Sequence, residues 1–279
     1  MSLFMITAAG ITLNAVLGGA RHADLREPFG RLAERLEQRF NPAGGGWRSH
    51  GVTAWCLAVL PLTLITWLLV HLTEFGWALE ILVLYFALGL RSLYGSAQVL
   101  AQSLRLGFSS EGTGRLQENT GAASAGVATV LQQGFDSVFA VLFWFFIAGA
   151  PGVVLYRLSS GLETAWGVAN PRCERFGWAA LKIAHVLGYL PARLTALSYA
   201  LLGRTAPALR CWMCQASAWP GANIGPVLAA GAGALGVSLQ GLGQGQSPQA
   251  RDIERALNLL VTGIALWLVC LLILELWFA

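Results

Sequence analysis

The sequence predicts an all-α fold, a polytopic integral membrane bundle of helices. Only 11% of the 279 residues are charged, whereas soluble domains carry about 25%. The hydrophobic share is 56%, and several nearly uncharged stretches approach the roughly 20 residues that cross a bilayer. This composition excludes a disordered chain, which needs low hydrophobicity and high charge. It also leaves too few polar side chains to cover a water-soluble enzyme.

The first 40 residues predict two helices of different kinds. Residues 3–17 are apolar and carry neither a basic leader nor a cleavage pattern, so residues 1–20 are interpreted as a short N-terminal anchor that is retained. Residues 24–40 repeat an apolar side chain every three or four positions, from Leu25 to Phe40. This spacing predicts an amphipathic helix that lies at the membrane interface or packs on the bundle.

Two apolar segments predict a helical hairpin over residues 52–90. Residues 52–70 carry no charge, and residues 77–90 carry only Glu80. A carboxylate at membrane depth is costly. Because Glu80 lies near a helix end, we expect its side chain to reach towards the interface.

The next part of the chain predicts a polar arm and then a broken helix. Residues 91–137 are polar and rich in Gly and Ser, and they predict a helix over 92–106 followed by a loop. Residues 138–156 are strongly apolar but are interrupted by Gly149–Gly152, which predicts a broken or re-entrant helix. Residues 256–278 predict a C-terminal span.

The distribution of basic residues predicts how these spans lie in a bacterial inner membrane. Six arginines fall between residues 21 and 50, three between 91 and 137, and none in the turn at 71–76. Basic residues concentrate in cytoplasmic loops, so most loops of this multi-pass chain are expected to be cytoplasmic. Nine basic residues lie between 157 and 255. A re-entrant pair would keep them on that side, because both of its ends lie on one side of the membrane; an extra crossing near residues 178–202 is the alternative.

Few side chains in the sequence have the spacing of a chemical motif. Asp136 directly precedes an apolar segment, and two interpretations stay open: a helix N-cap, or a contact to metal or substrate at the membrane face. The Cys211 and Cys214 pair lacks the second pair that a zinc site needs. No lysine-rich tract indicates a nucleic-acid partner.

Several motifs follow one another in an order that resembles one family of membrane proteins. They are Leu90-Arg91-Ser92-Leu93, Asp136 to Trp144, Ala148 to Leu158, Phe176-Gly177-Trp178-Ala179-Ala180, Pro191-Ala192-Arg193-Leu194-Thr195, and Asn223 with Ala229 to Val237. Together they resemble the membrane-bound cobinamide (cobinamide-phosphate) synthases of cobalamin biosynthesis, called CobD or CbiB. The resemblance covers nearly the whole chain.

The resemblance implies an activity, cofactors and partners. The activity is an ATP-dependent ligation that forms an amide between aminopropanol, or its phosphate, and a propionate of adenosylcobyric acid, giving cobinamide or its phosphate. The implied cofactors are ATP and Mg²⁺. The implied partners are the lipid bilayer, the corrinoid substrate and other cobalamin-biosynthesis proteins, with no nucleic acid.

The resemblance also implies the residues of a site, most of them within residues 138–255. Asp136 and Glu163 are the implied catalytic residues, and their carboxylates would hold Mg²⁺. The implied substrate-binding residues are Asn170, Arg172, Arg193 and Asn223. Arginine suits that role because its guanidinium binds phosphate and carboxylate groups through paired hydrogen bonds.

The chain departs from the family pattern at several polar positions. Gln132 and Gln133 stand where the family carries an acidic run, and Ala184-His185 with Gly188 stand where it carries paired aspartates and an asparagine. Amides and alanine cannot bind Mg²⁺ as carboxylates do. Two functions therefore stay open: a ligase of the family type, or a non-catalytic paralogue that serves as a membrane scaffold, sensor or partner subunit. A transporter is disfavoured because no inverted repeat is visible.

Overall fold

The computed structural model describes residues 2–17, 22–41, 46–107, 113–167, 175–219, 221–239 and 245–278. Nearly all of these residues are helical, and they contain no β-strand. The helices are α1 (Leu3–Leu17), α2 (His22–Phe40), α3 (Arg48–Leu72), α4 (Gly76–Ala87), α5 (Leu90–Gly107), α6 (Thr113–Gly134), α7 (Ala140–Trp166), α8 (Trp178–Leu202), α9 (Thr205–Gln215), α10 (Ile224–Leu235) and α11 (Ala250–Phe278). The predicted all-α class is confirmed.

Four helical runs among the described residues are long and apolar enough to cross a membrane. They are Arg48–Leu72, Gly76–Arg105, Thr120–Trp166 and Ala250–Trp277. Large apolar side chains also cover the outside of two of these runs: Leu64 on α3 is 63% exposed and Leu276 on α11 is 71% exposed. Contiguous apolar surface of this kind suits lipid rather than water. The prediction of a polytopic membrane protein is confirmed.

The run Thr120–Trp166 is broken at Gly149, as the sequence predicts. Its 47 residues would measure about 70 Å as one straight helix, more than twice the thickness of a bilayer core. Gly149 has φ 62° and ψ −151°, which no helix contains. A Cβ on Gly152 would lie 2.5 Å from the carbonyl oxygen of Trp144, although eight residues of straight helix rise about 12 Å. The chain therefore bends back sharply between Trp144 and Gly152.

The predicted loop after residue 106 is wrong for residues 113–134, which form α6. The small residues that suggested a loop are used for close packing instead. A Cβ on Gly126 would lie 2.8 Å from both Leu100 and Ile253, and Ala123 and Val127 are fully buried. Helix propensity is only a weak preference. In α6, close packing outweighs the low helix propensity of the Gly and Ser residues.

Two compact units make up the fold, and the first consists of Met1–Gly89 and Ala140–Gly188. Its core joins α2, α3 and α7 around Trp55, Leu162, Trp166 and Phe176, together with smaller apolar side chains. The indole of Trp166 packs edge-on against Phe176 and donates a hydrogen bond of 3.2 Å to the carbonyl of Ala33. This core fixes the end of α7, where Glu163 lies.

The end of α4 is stabilised by two polar side chains within the first unit. The amide of Asn14, which is fully buried, donates hydrogen bonds of 2.8 Å to the carbonyls of Tyr85 and Leu88. The guanidinium of Arg157 donates to the carbonyl of Ala87. Backbone carbonyls that a helix end leaves without partners are costly to bury. Asn14 and Arg157 therefore allow the apolar run to be interrupted here.

The second unit consists of Leu90–Phe139 and Tyr189–Ala279. Helix α11 packs against α5, α6 and α10, and α10 packs against α9 and α6. Phe139 contacts the rings of Tyr199 and Trp267, and the indole of Trp267 donates to the Ser198 hydroxyl at 2.8 Å. These contacts fix the C-terminal half of α8, and Arg193 lies in that half.

Candidate functional site

Arg193 and Asn223 meet in the second unit. Nη1 of Arg193 donates to Oδ1 of Asn223 at 3.2 Å and to the backbone carbonyl of Tyr189 at 2.9 Å. Cζ of Arg193 also lies 3.4 Å from the centre of the Tyr189 ring, which is a cation–π contact. The guanidinium is thus held by one neighbour on its own helix and by one residue from a different element.

Asn223 is placed by the start of α10. Gly221, two residues earlier, has φ +100°, a conformation that favours glycine. Gly225 packs so closely that a Cβ would lie 2.1 Å from the Ala216 carbonyl oxygen. Asn223 is 7% exposed and stands at the N-cap position of α10, but its side chain makes no capping hydrogen bond. Its carbonyl oxygen instead accepts the hydrogen bond from Arg193.

Asp136 lies in a π-helical turn, Phe135–Phe139, between α6 and α7. The N-cap interpretation of Asp136 is wrong, because helix both precedes and follows it and no helix begins there. Its side chain is half-buried, while its neighbours Phe135 and Val138 are buried. π-helical turns occur frequently at functional sites, because the extra residue widens the turn and redirects a side chain.

The Glu163 carboxylate lies beside the imidazole of His185 in the first unit. Oε1 of Glu163 lies 3.6 Å from Nε2 of His185, and both side chains are about one third exposed. Partial burial and, to a smaller extent, the positive charge of Lys182 lower the pKa of His185 from its ordinary value. The structure therefore places an imidazole beside a carboxylate that the resemblance assigns to the site.

Two of the predicted site residues lie outside the described part of the chain, and the others are divided between the two units. Asn170 and Arg172 lie outside the described residues. Glu163 belongs to the first unit, and Asp136, Arg193 and Asn223 belong to the second. The site residues predicted from the sequence did not include His185 or Tyr189. The helical spacing of Tyr189, four residues before Arg193, was the signal that could have identified it.

The carboxylates suit one mode of binding Mg²⁺ and not another. Among the described residues, no group of three or more His, Cys, Asp or Glu side chains could hold a metal ion. A dedicated cage made of protein ligands is therefore absent from this part of the chain. Mg²⁺ more often binds through one or two carboxylates together with substrate phosphates. Asp136 in the second unit and Glu163 in the first each carry one partly buried carboxylate.

The fold and these side chains define a multi-span helical membrane protein with polar groups suited to an anionic ligand. The profile of the CobD/Cbib protein family matches residues 7–260, and the chain belongs to this family. It is 54% identical to the cobalamin biosynthesis protein CobD of Stutzerimonas stutzeri over 98% of each chain. It is 42% identical to the protein of the same name from Chromobacterium violaceum over 86% of each chain. No solved structure matches the chain.

Proposed function

We propose that this protein acts in cobalamin biosynthesis as a membrane-embedded ligase. It would form an amide bond between aminopropanol, or its phosphate, and a propionate carboxyl of adenosylcobyric acid. The family membership supports the pathway, since relatives across nearly the whole chain are named cobalamin biosynthesis proteins. The Arg193 and Asn223 contact is the observation that supports the chemistry, because the reactants carry phosphate and carboxylate groups.

The proposed reaction assigns separate tasks to the residues of the chain. Arg193 binds and orients an anionic group of a reactant through its paired N–H donors. Asp136 and Glu163 would hold Mg²⁺ through their carboxylates. When bound, ATP with Mg²⁺ supplies the phosphoryl group that activates the propionate. In the balanced reaction a carboxyl C–O bond and an amine N–H bond are broken and the C–N bond forms, while ATP becomes ADP and phosphate and the released proton passes to water.

The protein is also proposed to lie in the bacterial inner membrane with most loops in the cytoplasm. The support is the excess of arginine in the loops around residues 21–50 and 91–137 and its absence from residues 71–76. A reporter enzyme fused at residue 74 is expected to be external and one fused at residue 165 cytoplasmic. An external reporter at residue 165 would contradict a re-entrant arrangement around Gly149.

The ligase activity is tested by genetic complementation and by reconstitution. Expression of the chain in a strain that lacks cobinamide synthase is expected to restore cobalamin production from cobyric acid. The purified protein in lipid vesicles is expected to convert cobyric acid, ATP and aminopropanol phosphate into cobinamide phosphate, measured by chromatography. Good membrane expression without rescue, and without product in vesicles, would contradict the proposal.

A non-catalytic paralogue acting as a scaffold, sensor or partner subunit is the second candidate. One observation favours it. The carboxylate of Glu163 contacts His185, and His185 stands where the resemblance implies an aspartate. This candidate predicts that a second, carboxylate-complete gene of the family occurs in the same genome. It also predicts that deleting that gene abolishes cobalamin synthesis while the present chain is still expressed.

A further inference from the structure

The hydrogen bonds of Arg193 leave one defined edge of its guanidinium available. A guanidinium has five N–H groups, one on Nε and two on each Nη atom. The two donors of Nη1 are used by the Tyr189 carbonyl at 2.9 Å and by Oδ1 of Asn223 at 3.2 Å. Nε and Nη2 make no hydrogen bond within the described residues. Their two parallel N–H groups form the edge that matches a carboxylate or phosphate.

The Tyr189 side chain, which is 55% exposed, packs over this guanidinium and restrains its plane. The ring centre lies 3.4 Å from Cζ of Arg193, so the ring covers one face of the guanidinium. Tyr189 precedes Arg193 by four residues on α8, and these positions share a helix face. Asn223 is buried and holds the opposite end through Nη1. A fixed plane lowers the conformational entropy that an arginine loses when it forms a bidentate contact.

The charge of Arg193 is not neutralised within the described residues. Ion pairs there join Arg105 to Glu254 and Arg255 to Asp252, but none includes Arg193. Its neighbours are a carbonyl, an amide and an aromatic ring, all uncharged. A half-buried cation held only by neutral groups is stabilised when an anion binds to it.

We infer that the Nε–Nη2 edge of Arg193 is the contact site for an oxyanion of a reactant, and that Tyr189 and Asn223 are its positioning residues. This inference rests on the proposed function, which supplies two oxyanions of the same chemistry. One is the phosphate of aminopropanol phosphate, and the other is a propionate of the corrinoid. Both would form two parallel N–H···O bonds with this edge.

The test is steady-state kinetics on the full-length protein in lipid vesicles. Arg193→Lys keeps the positive charge but removes the paired N–H donors of the guanidinium. Tyr189→Leu removes the ring that covers the guanidinium. We expect Arg193→Lys to raise one KM by about 10–100-fold and Tyr189→Leu to raise the same KM by about 3–10-fold. We expect Tyr189→Phe to behave as the wild type, because it keeps the ring.

The amine used in the assay distinguishes the two sources of the oxyanion. If the edge binds the phosphate, the KM for aminopropanol phosphate rises, and that for unphosphorylated aminopropanol does not. If it binds the propionate, the KM for cobyric acid rises with either amine. Tyr94→Leu, at a 43% exposed tyrosine of the same unit, is the matched control and should leave every KM unchanged. A Tyr189→Leu protein with unchanged KM values would overturn the inference.

A separate binding measurement keeps this inference distinct from the proposed activity. Calorimetric titration of the wild type with aminopropanol phosphate and with cobyric acid needs no turnover. Failure of the wild type to form product, together with a Kd that Arg193→Lys and Tyr189→Leu both weaken, would contradict the ligase and support the oxyanion contact. Kd values for both compounds that neither substitution changes would overturn the contact, whatever the activity.

Discussion

Asp136→Asn is expected to lower the rate of cobinamide formation by about 100-fold or more, because the amide keeps the shape of the side chain but loses its charge. The carboxylate stands half-buried in the π-helical turn Phe135–Phe139, between two continuous helices. A helix cap would tolerate this change well, since Asn caps as effectively as Asp. No helix begins at residue 136, so a large loss would indicate a direct role of the charge. The measurement is the initial rate of product formation in vesicles, with saturating ATP.

Two further variants make the result for Asp136 specific. Glu254→Gln is a matched carboxylate-to-amide control, since Glu254 forms an exposed pair with Arg105 and such pairs contribute about 0–1 kcal/mol. It should keep the wild-type rate. Glu163→Gln should lose activity as Asp136→Asn does if both carboxylates hold Mg²⁺. Wild-type rates in both site variants would remove the two residues from the proposed metal site.

The membrane architecture could be predicted from the sequence because its signals are local. The uncharged segment at 52–70 lies within α3, and the Gly and Pro residues at 149–152 mark the break. The residues around 113–134 were not predicted as helix. Their small side chains resemble a loop until the packing of Gly126 against Leu100 and Ile253 is known, and that packing joins parts of the chain far apart in sequence.

The candidate site could be predicted only as separate residues. Arg193 and Asn223 are separated by 30 positions, and their hydrogen bond depends on how α10 begins. Glu163 and His185 are likewise separated by 22 positions, which hides their contact. Tyr189 is the exception, because its spacing from Arg193 is helical and was present in the sequence. Asn14 was also missed, since a single polar side chain within residues 3–17 has no pattern of its own.

Asn14→Leu is expected to lower the free energy of unfolding by about 2–5 kcal/mol. The change is nearly isosteric, so its cost arises from hydrogen bonding rather than from volume. Two buried carbonyls, those of Tyr85 and Leu88, lose donors that lie at 2.8 Å, and each buried polar group left without a partner costs about 1–3 kcal/mol. Water cannot replace the donor, since Asn14 is fully buried and the carbonyls lie within the apolar run Gly76–Arg105.

The comparison that tests this explanation uses one helix and two further substitutions. Thr12→Val removes a side chain whose hydroxyl bonds only to the carbonyls of Ala8 and Ala9 on its own helix, so it should unfold as the wild type does. Asn14→Asp keeps the shape but directs a carboxylate at carbonyl oxygens, so it should be at least as destabilising as Asn14→Leu. The measurement is unfolding of the detergent-solubilised protein followed by tryptophan fluorescence. If Asn14→Leu unfolded together with Thr12→Val, the Asn14 amide would not be what stabilises the end of α4, and Arg157 alone would have to satisfy that interruption.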